Sequence, residues 1–158
     1  SITEIKIPEN VKYIGESSFY QCGNLKKIEI PKNVEKINDE SFYYCHNLQT
    51  VIFTEDSKLQ KIQKYAFSQS VVRRLILPES LKEIEDGWAN ESRLKTVIIS
   101  PKNQYYEYIN SCLLVEKETS TIIFATKDIK KIIIPSYIKR LAKFSFANCG
   151  SLVSLEFE

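Results

Sequence analysis

The chain has 158 residues, 43% of them hydrophobic and 27% charged, with a formal net charge of +2, which is one domain's worth of ordinary globular composition. No apolar run approaches the roughly 18 residues a membrane span requires, and Ser1 to Asn10 carries no charged-then-apolar leader. The charge is spread along the chain and gives no ground to expect nucleic acid or a membrane surface as partner.

Repetition is the dominant signal, and it is read first because a repeat overrides local readings. Ile5-Lys6-Ile7-Pro8 opens a pattern that continues Val11, Ile14, Phe19, Cys22, Leu25 and closes on Ile28. The second copy runs Ile28, Ile30, Val34, Ile37, Phe42, Cys45, Leu48 and Val51 at the same spacing, a period of 23. From Val51, Thr54-Glu55-Asp56-Ser57-Lys58 replaces the proline turn with two extra residues before Leu59, Ile62 and Phe67 resume the pattern. Ser70 then takes the cysteine slot, and one residue is lost before Leu75. In the fourth copy Ala89 takes the phenylalanine slot beside Trp88, whose indole is expected to fill the missing volume. The pattern lapses from Asn103 to Lys131, where Cys112–Val115 and Thr121–Phe124 flank a polar five-residue loop and predict a β-hairpin. It returns as Ile132, Ile134, Ile138, Leu141, Phe146, Cys149, Leu152 and Leu155.

This periodicity predicts an α/β repeat solenoid over 1–158, with about six coils of 22–25 residues and an atypical segment at 103–131. Each Ile-x-Ile phrase is a short strand ended by proline, which cannot donate the next ladder bond. One coil cannot bury its own apolar face, so the coils stack and their strands form a single parallel sheet on the concave side. Short 3₁₀ or helical turns are expected on the convex arm around Ser17-Ser18-Phe19-Tyr20, and Phe19, Phe42, Phe67 and Phe146 are expected to stack as one core column. Neither end reads as a polar cap, so the chain is expected to be part of a longer array or to associate end to end.

The phrase Leu25-x-x-Ile28-x-Ile30 resembles the leucine-rich repeat core, and the 23-residue period with Ser-Phe-x-x-Cys-x-x-Leu resembles the BspA-type leucine-rich repeats. That family occurs in surface proteins of Bacteroides-like bacteria and of trichomonads and amoebae. The resemblance implies an adhesin-like protein-recognition module, at the cell surface or secreted, that binds host extracellular-matrix or cell-surface proteins. A structural spacer carrying a separate functional domain is the alternative.

The chemistry-bearing residues point away from catalysis. Cys22, Cys45 and Cys149 share one repeat slot with Ser70 and Ser92, as a core column of compact side chains does. His46, the single histidine, stands where Gly23 and Gly150 stand in their coils and reads as a solvated turn residue. No nucleophile–base pair, metal-ligand spacing or phosphate loop can be assembled, so no enzyme, cofactor or metal is expected. Asn90-Glu91-Ser92 matches a glycosylation sequon, and Tyr105, Tyr106 and Tyr108 cluster in the lapse. The sharper expectation concerns the residues that alternate with the core isoleucines and face the concave surface. Thr50 and Ile52, Arg74 and Ile76, Thr96 and Ile98, and Lys131 and Ile133 would form an exposed isoleucine stripe with a polar border, a surface suited to a protein partner.

Overall fold

An Ile-x-Ile phrase buries alternate side chains, and its β-branched residues favour an extended backbone. Each such phrase is a strand in the computed structural model, which describes residues 2–158. The first nine strands are β1 (Glu4–Lys6), β2 (Tyr13–Ile14), β3 (Lys27–Ile30), β4 (Lys36–Ile37), β5 (Thr50–Phe53), β6 (Lys61–Ile62), β7 (Arg74–Leu77), β8 (Glu83–Ile84) and β9 (Thr96–Ile99). The lapse contributes β10 (Tyr106–Ile109), β11 (Leu113–Glu116) and β12 (Thr121–Ala125), and the last coils contribute β13 (Lys131–Ile134), β14 (Arg140–Leu141) and β15 (Ser154–Phe157). The result is a parallel-strand β-solenoid of about seven turns.

Core positions pair with core positions from coil to coil: Ile5 opposite Ile28, Ile28 opposite Val51, Leu75 opposite Val97, and Ile132 opposite Leu155. A second parallel ladder, not legible in the repeat, joins β2, β4, β6 and β8 on the returning arm through Ile14, Ile37, Ile62 and Ile84. The concave sheet is not single. It divides into β1-β3-β5, β7-β9 and β13-β15. The first break has a cause in the chain. Two residues separate Cys22 from Leu25 and Cys45 from Leu48, whereas only one separates Ser70 from Val72 and Ser92 from Leu94. The approach to β7 and β9 is therefore shorter by about 3.3 Å of chain, so these two strands pair with each other and not with β5.

The expected helical turns are absent: among the described residues there is no helix of any type. Ser17, Glu40 and Tyr65, two residues before the phenylalanine, take positive φ, and so do Gln21, Tyr44 and Gln69 two residues after it. Alternate amides then point at the next coil: Ser17, Phe19 and Gln21 N–H donate to the carbonyls of Asp39, Ser41 and Tyr43 at 2.9–3.0 Å. The amides between them close local turns, Ser18 to Gly15 and Tyr20 to Ser17. A helix needs every amide for its own ladder; here half are committed to the neighbouring coil. Gly87 occupies the same left-handed position at φ 74°, and a Cβ there would lie 3.0 Å from the ring of Tyr65 and 3.1 Å from that of Phe144.

The aromatic column forms with one change of membership. Phe19 stacks on Phe42 at 5.1 Å and Phe42 on Phe67 at 5.2 Å. Trp88, fully buried, meets Phe67 edge-on at 6.4 Å, so the indole does fill the Ala89 gap. Phe124 from the hairpin then continues the column 5.4 Å from Trp88, while Phe146 packs into a separate apolar group with Ile132, Ile134 and Cys149. The cysteine slot is a core column as expected, with Cys45, Ser70, Ser92 and Cys149 buried and Cys22 half-buried. Cys45 Sγ donates to Phe19 O at 3.1 Å, and burial pushes its thiol up to about 12.

The hairpin of the lapse is present as the antiparallel pair β11-β12, with β10 added on its other edge. Its last strand pairs in parallel with β14, the returning-arm strand of the last coil, Ile122 opposite Leu141, in a sheet separate from β2-β4-β6-β8. Only ten residues separate Ile122 from Ile132 because β12 already stands halfway round a coil. The edge of β8, which has no following strand in its ladder, is closed by side chains. Tyr106, fully buried, accepts the Ile84 N–H at 2.8 Å and donates to Lys82 O at 3.3 Å. Asn103 accepts the amides of Tyr105 and Tyr106 and donates to Leu81 O at 2.9 Å. One phenol and one amide thus take the place of a missing strand.

Removing that phenolic oxygen strands a buried amide. We expect Tyr106→Phe to destabilise the fold by about 1–3 kcal/mol, read as a lowered urea midpoint. The exposed neighbour change Tyr105→Phe should shift the midpoint by no more than about 0.5 kcal/mol.

Candidate functional site

Side chains that alternate with the core positions of β5, β7, β9 and β13 point away from the apolar interior. Thr50, Arg74, Thr96 and Lys131 are exposed, and Ile52, Ile76 and Ile133 are exposed by 38%, 55% and 43% of their surface. Ile98 is half-buried. Register brings Arg74 opposite Thr96 and Ile76 opposite Ile98, so these four form one contiguous patch. Thr50 and Ile52 lie alongside β7 across the sheet break, their ladder partners being Lys27 and Glu29 on β3. Lys131 and Ile133 are set apart from Ile98 by the lapse. Asn110 reaches from that segment to Ile133 O at 3.3 Å.

An open groove of about 500 Å³ lies between β9 and β10, lined by Ile98, Ile99, Glu107, Tyr108 and Lys117 among others. The stripe is thus two apolar patches, Ile52, Ile76 and Ile98 before the lapse and Ile133 after it. Glu107 and Tyr137 escaped the sequence reading. Tyr137 Oη donates to Glu107 Oε1 at 3.0 Å across 30 residues of chain, and no local pattern signals a contact so remote. The alternation in Tyr106-Glu107-Tyr108-Ile109 was the available sign of a strand there.

The remaining candidates fall where packing puts them. His46 is exposed in its turn, its ring edge-on to Tyr44 at 4.8 Å. Of the lapse tyrosines, Tyr106 is core, Tyr108 is half-buried with its phenol pushed up by burial, and Tyr105 is exposed. Ser92 of the sequon is buried and accepts the Leu94 N–H. No cluster of three His, Cys, Asp or Glu side chains among the described residues could hold a metal ion. Among the described residues no helix is long and apolar enough to cross a membrane.

Charge on the concave face is partly paired. Lys131 Nζ lies 2.8 Å from the carboxylate of Glu156, two residues beyond its register partner Ser154 on β15. Lys131 first, and then Ser154, hold the Glu156 carboxyl below its ordinary 4.5.

Comparison with known proteins adds the following. The model of the BspA type leucine rich repeat region matches residues 1–112 and 117–158 in six copies. No curated protein matches the sequence at a significant level. Among solved structures, the pneumococcal vaccine antigen PcpA superposes with a TM-score of 0.79 at 26% identity, over 85% of this chain and 34% of that one. A leucine-rich cell surface protein from Faecalibacterium prausnitzii gives a TM-score of 0.74 at 19% identity, over 99% of this chain and 55% of that one. A leucine-rich repeat protein from Eubacterium ventriosum gives 0.74 at 22% identity, over 98% and 50%. The chain therefore spans between a third and about half the length of these relatives, and at such identities the last two show the fold alone.

A depressed carboxyl favours the folded state above its unfolded pKa and loses that contribution as pH falls through the folded value. The Glu156 side-chain carboxyl, followed by NMR, should titrate below 4.5, and Lys131→Ala should move its midpoint back toward 4.5. An unmoved midpoint would mean that the pair does not form in solution.

Proposed function

This chain belongs to the BspA-type leucine-rich repeat family, and from that premise we propose that it is a non-enzymatic protein-recognition module of an adhesin-like surface or secreted protein. The observation that carries the reading is the concave face itself. Ile76 and Ile98 stand opposite each other in register, with Ile52 beside them and Arg74 and Thr96 at their border. Apolar side chains on a rigid sheet lose little entropy on binding, and desolvating them between polar neighbours is how interface centres gain affinity. The groove beside Ile98, with Tyr108 on its wall, adds the concavity into which a partner's side chain fits.

Host extracellular-matrix and cell-surface proteins are the partner class. Support comes from the family and from the similarity to a protein described as a vaccine antigen. The spacer alternative assigns the concave face no partner.

Substituting Ile76 and Ile98 together by aspartate tests the proposal, with circular dichroism as the check on folding. Binding to a panel of extracellular-matrix and host-cell proteins should weaken by at least about tenfold. If the variant folds and binds as the wild type does, the concave reading is wrong; if the wild type binds none of the panel, the spacer reading gains.

A further inference from the structure

The net charge of +2 conceals a strong asymmetry. The segments that lead from the cysteine slot into each ladder strand are residues 22–27, 45–50, 70–74, 92–96, 125–131 and 149–154. They carry nine of the chain's 22 Lys and Arg residues and one of its 20 Asp and Glu residues. Elsewhere 13 cations face 19 carboxylates. The repeat stacks these segments on one another. Gln49 N–H donates to Lys26 O, Lys95 N–H to Arg73 O, Lys127 N–H to Leu94 O and Val153 N–H to Lys130 O, all at 2.8–3.2 Å.

The cations therefore form a row along the flank of the solenoid. Lys26 and Lys27 lead into β3, Arg73 and Arg74 into β7, and Arg93 and Lys95 into β9. Lys127, Lys130 and Lys131 lead into β13, and every one of the nine is exposed. Two are paired, Lys95 with Asp128 and Lys131 with Glu156; the other seven take part in no ion pair among the described residues. Coils repeat at about 4.8 Å, so successive cations fall at intervals no longer than a Debye length of about 8 Å wherever adjacent coils both contribute. Like charges held this close repel one another, and an arrangement of this kind is relieved by a polyanion that neutralises them in series.

The centre of the row is also its most structured part. An open groove of about 610 Å³ lies at the break between β5 and β7, lined by His46, Asn47, Gln49, Thr50, Arg73 and Arg93, with Val71. The chain has four arginines against many lysines, and three of the four, Arg73, Arg74 and Arg93, stand here. The guanidinium fork binds oxyanions in two-pronged fashion, as lysine does not. The side-chain amides of Asn47 and Gln49 and the hydroxyl of Thr50, which line the same groove, suit the hydroxyls of a sugar.

We propose that this flank, which borders the concave face and shares Thr50, Arg74 and Lys131 with it, binds a linear acidic polysaccharide whose sulfate or carboxylate groups engage Arg73 and Arg93 at the groove and the lysines on either side. A polysaccharide is favoured over single-stranded nucleic acid because bases need aromatic faces to stack on. His46 is the sole ring in the lining, and its edge-on neighbour Tyr44 is half-buried. A membrane is disfavoured because the cations make a one-coil-wide row rather than a broad surface.

The test uses the whole chain and two probes, heparin for sulfate and polygalacturonate for carboxylate, in a direct binding assay at two salt concentrations. At least one probe should bind, more weakly at higher salt. Arg73→Glu with Arg93→Glu should lose about tenfold or more, while Lys12→Glu with Lys139→Glu, both exposed but off the row, should stay within about twofold. A chain with Ile76→Ala and Ile98→Ala, which adds no charge beside Arg74, should bind the polysaccharide as the wild type does, whatever becomes of its protein binding. Heparin binding alone assigns sulfate as the recognised group, and binding of both assigns the shared anionic charge. The proposal is overturned if neither probe binds, if the two double variants lose affinity equally, or if oligodeoxythymidylate binds more tightly than both polysaccharides.

Discussion

Everything in this solenoid depends on backbone amides that serve the next coil rather than their own. In the arc around each phenylalanine, alternate N–H groups cross to the neighbouring carbonyls and those between them close turns. The geometry requires positive φ at two positions per coil, which residues such as Ser17, Glu40 and Tyr44 adopt despite a cost of order 1 kcal/mol each. The compensation is shared. Each crossing bond fixes the height of one coil on the next, and at that height the phenylalanine rings meet face to face at 5.1–5.2 Å. Hydrogen bonds and ring stacking thus demand the same spacing, and neither is satisfied by a coil alone.

A structure built on coil-to-coil matching is sensitive to the length of each coil, and the irregularities show how that sensitivity is managed. The shortened approaches after Ser70 and Ser92 break the concave sheet between β5 and β7 but leave the two shortened coils in register with each other. Trp88 replaces a ring that Ala89 lacks. Where a whole half-coil is replaced by a hairpin, Tyr106 and Asn103 satisfy the polar groups that the absent strand would have taken, and Phe124 carries the aromatic column across. A core this continuous transmits a local misfit along its length unless each gap is closed by a side chain of the right shape.

The same rigidity separates scaffold from surface. Core slots admit few residue types, whereas positions that alternate with them are free, and this is where Ile52, Ile76, Ile98 and the basic flank lie. Those outward positions were legible because a strand has a period of two: Ile76 could be assigned to the concave face from Leu75 and Leu77 alone. Ile98 shows the limit of that rule. It points the same way, yet β10 packs beside β9 and half-buries it. The basic flank was overlooked for a related reason. Lys26, Arg73, Lys95 and Lys130 are more than 20 residues apart, and only their placement one above another turns an even spread along the chain into a row.

The sequence by itself determined the period, the identity of the core slots, the concave strands and the hairpin, because each is encoded by apolar residues at fixed short offsets. The family follows from the same offsets. It could not determine the local shape of the convex arm, since turns and helices share the Ser-Phe-Tyr composition and differ in which coil receives the hydrogen bonds. Nor could it show that the concave sheet is divided, that Tyr106 rather than Tyr105 is the plug, or that Phe124 displaces Phe146 from the aromatic column. Each of these depends on contacts between coils, and such contacts exist only once the chain has been stacked.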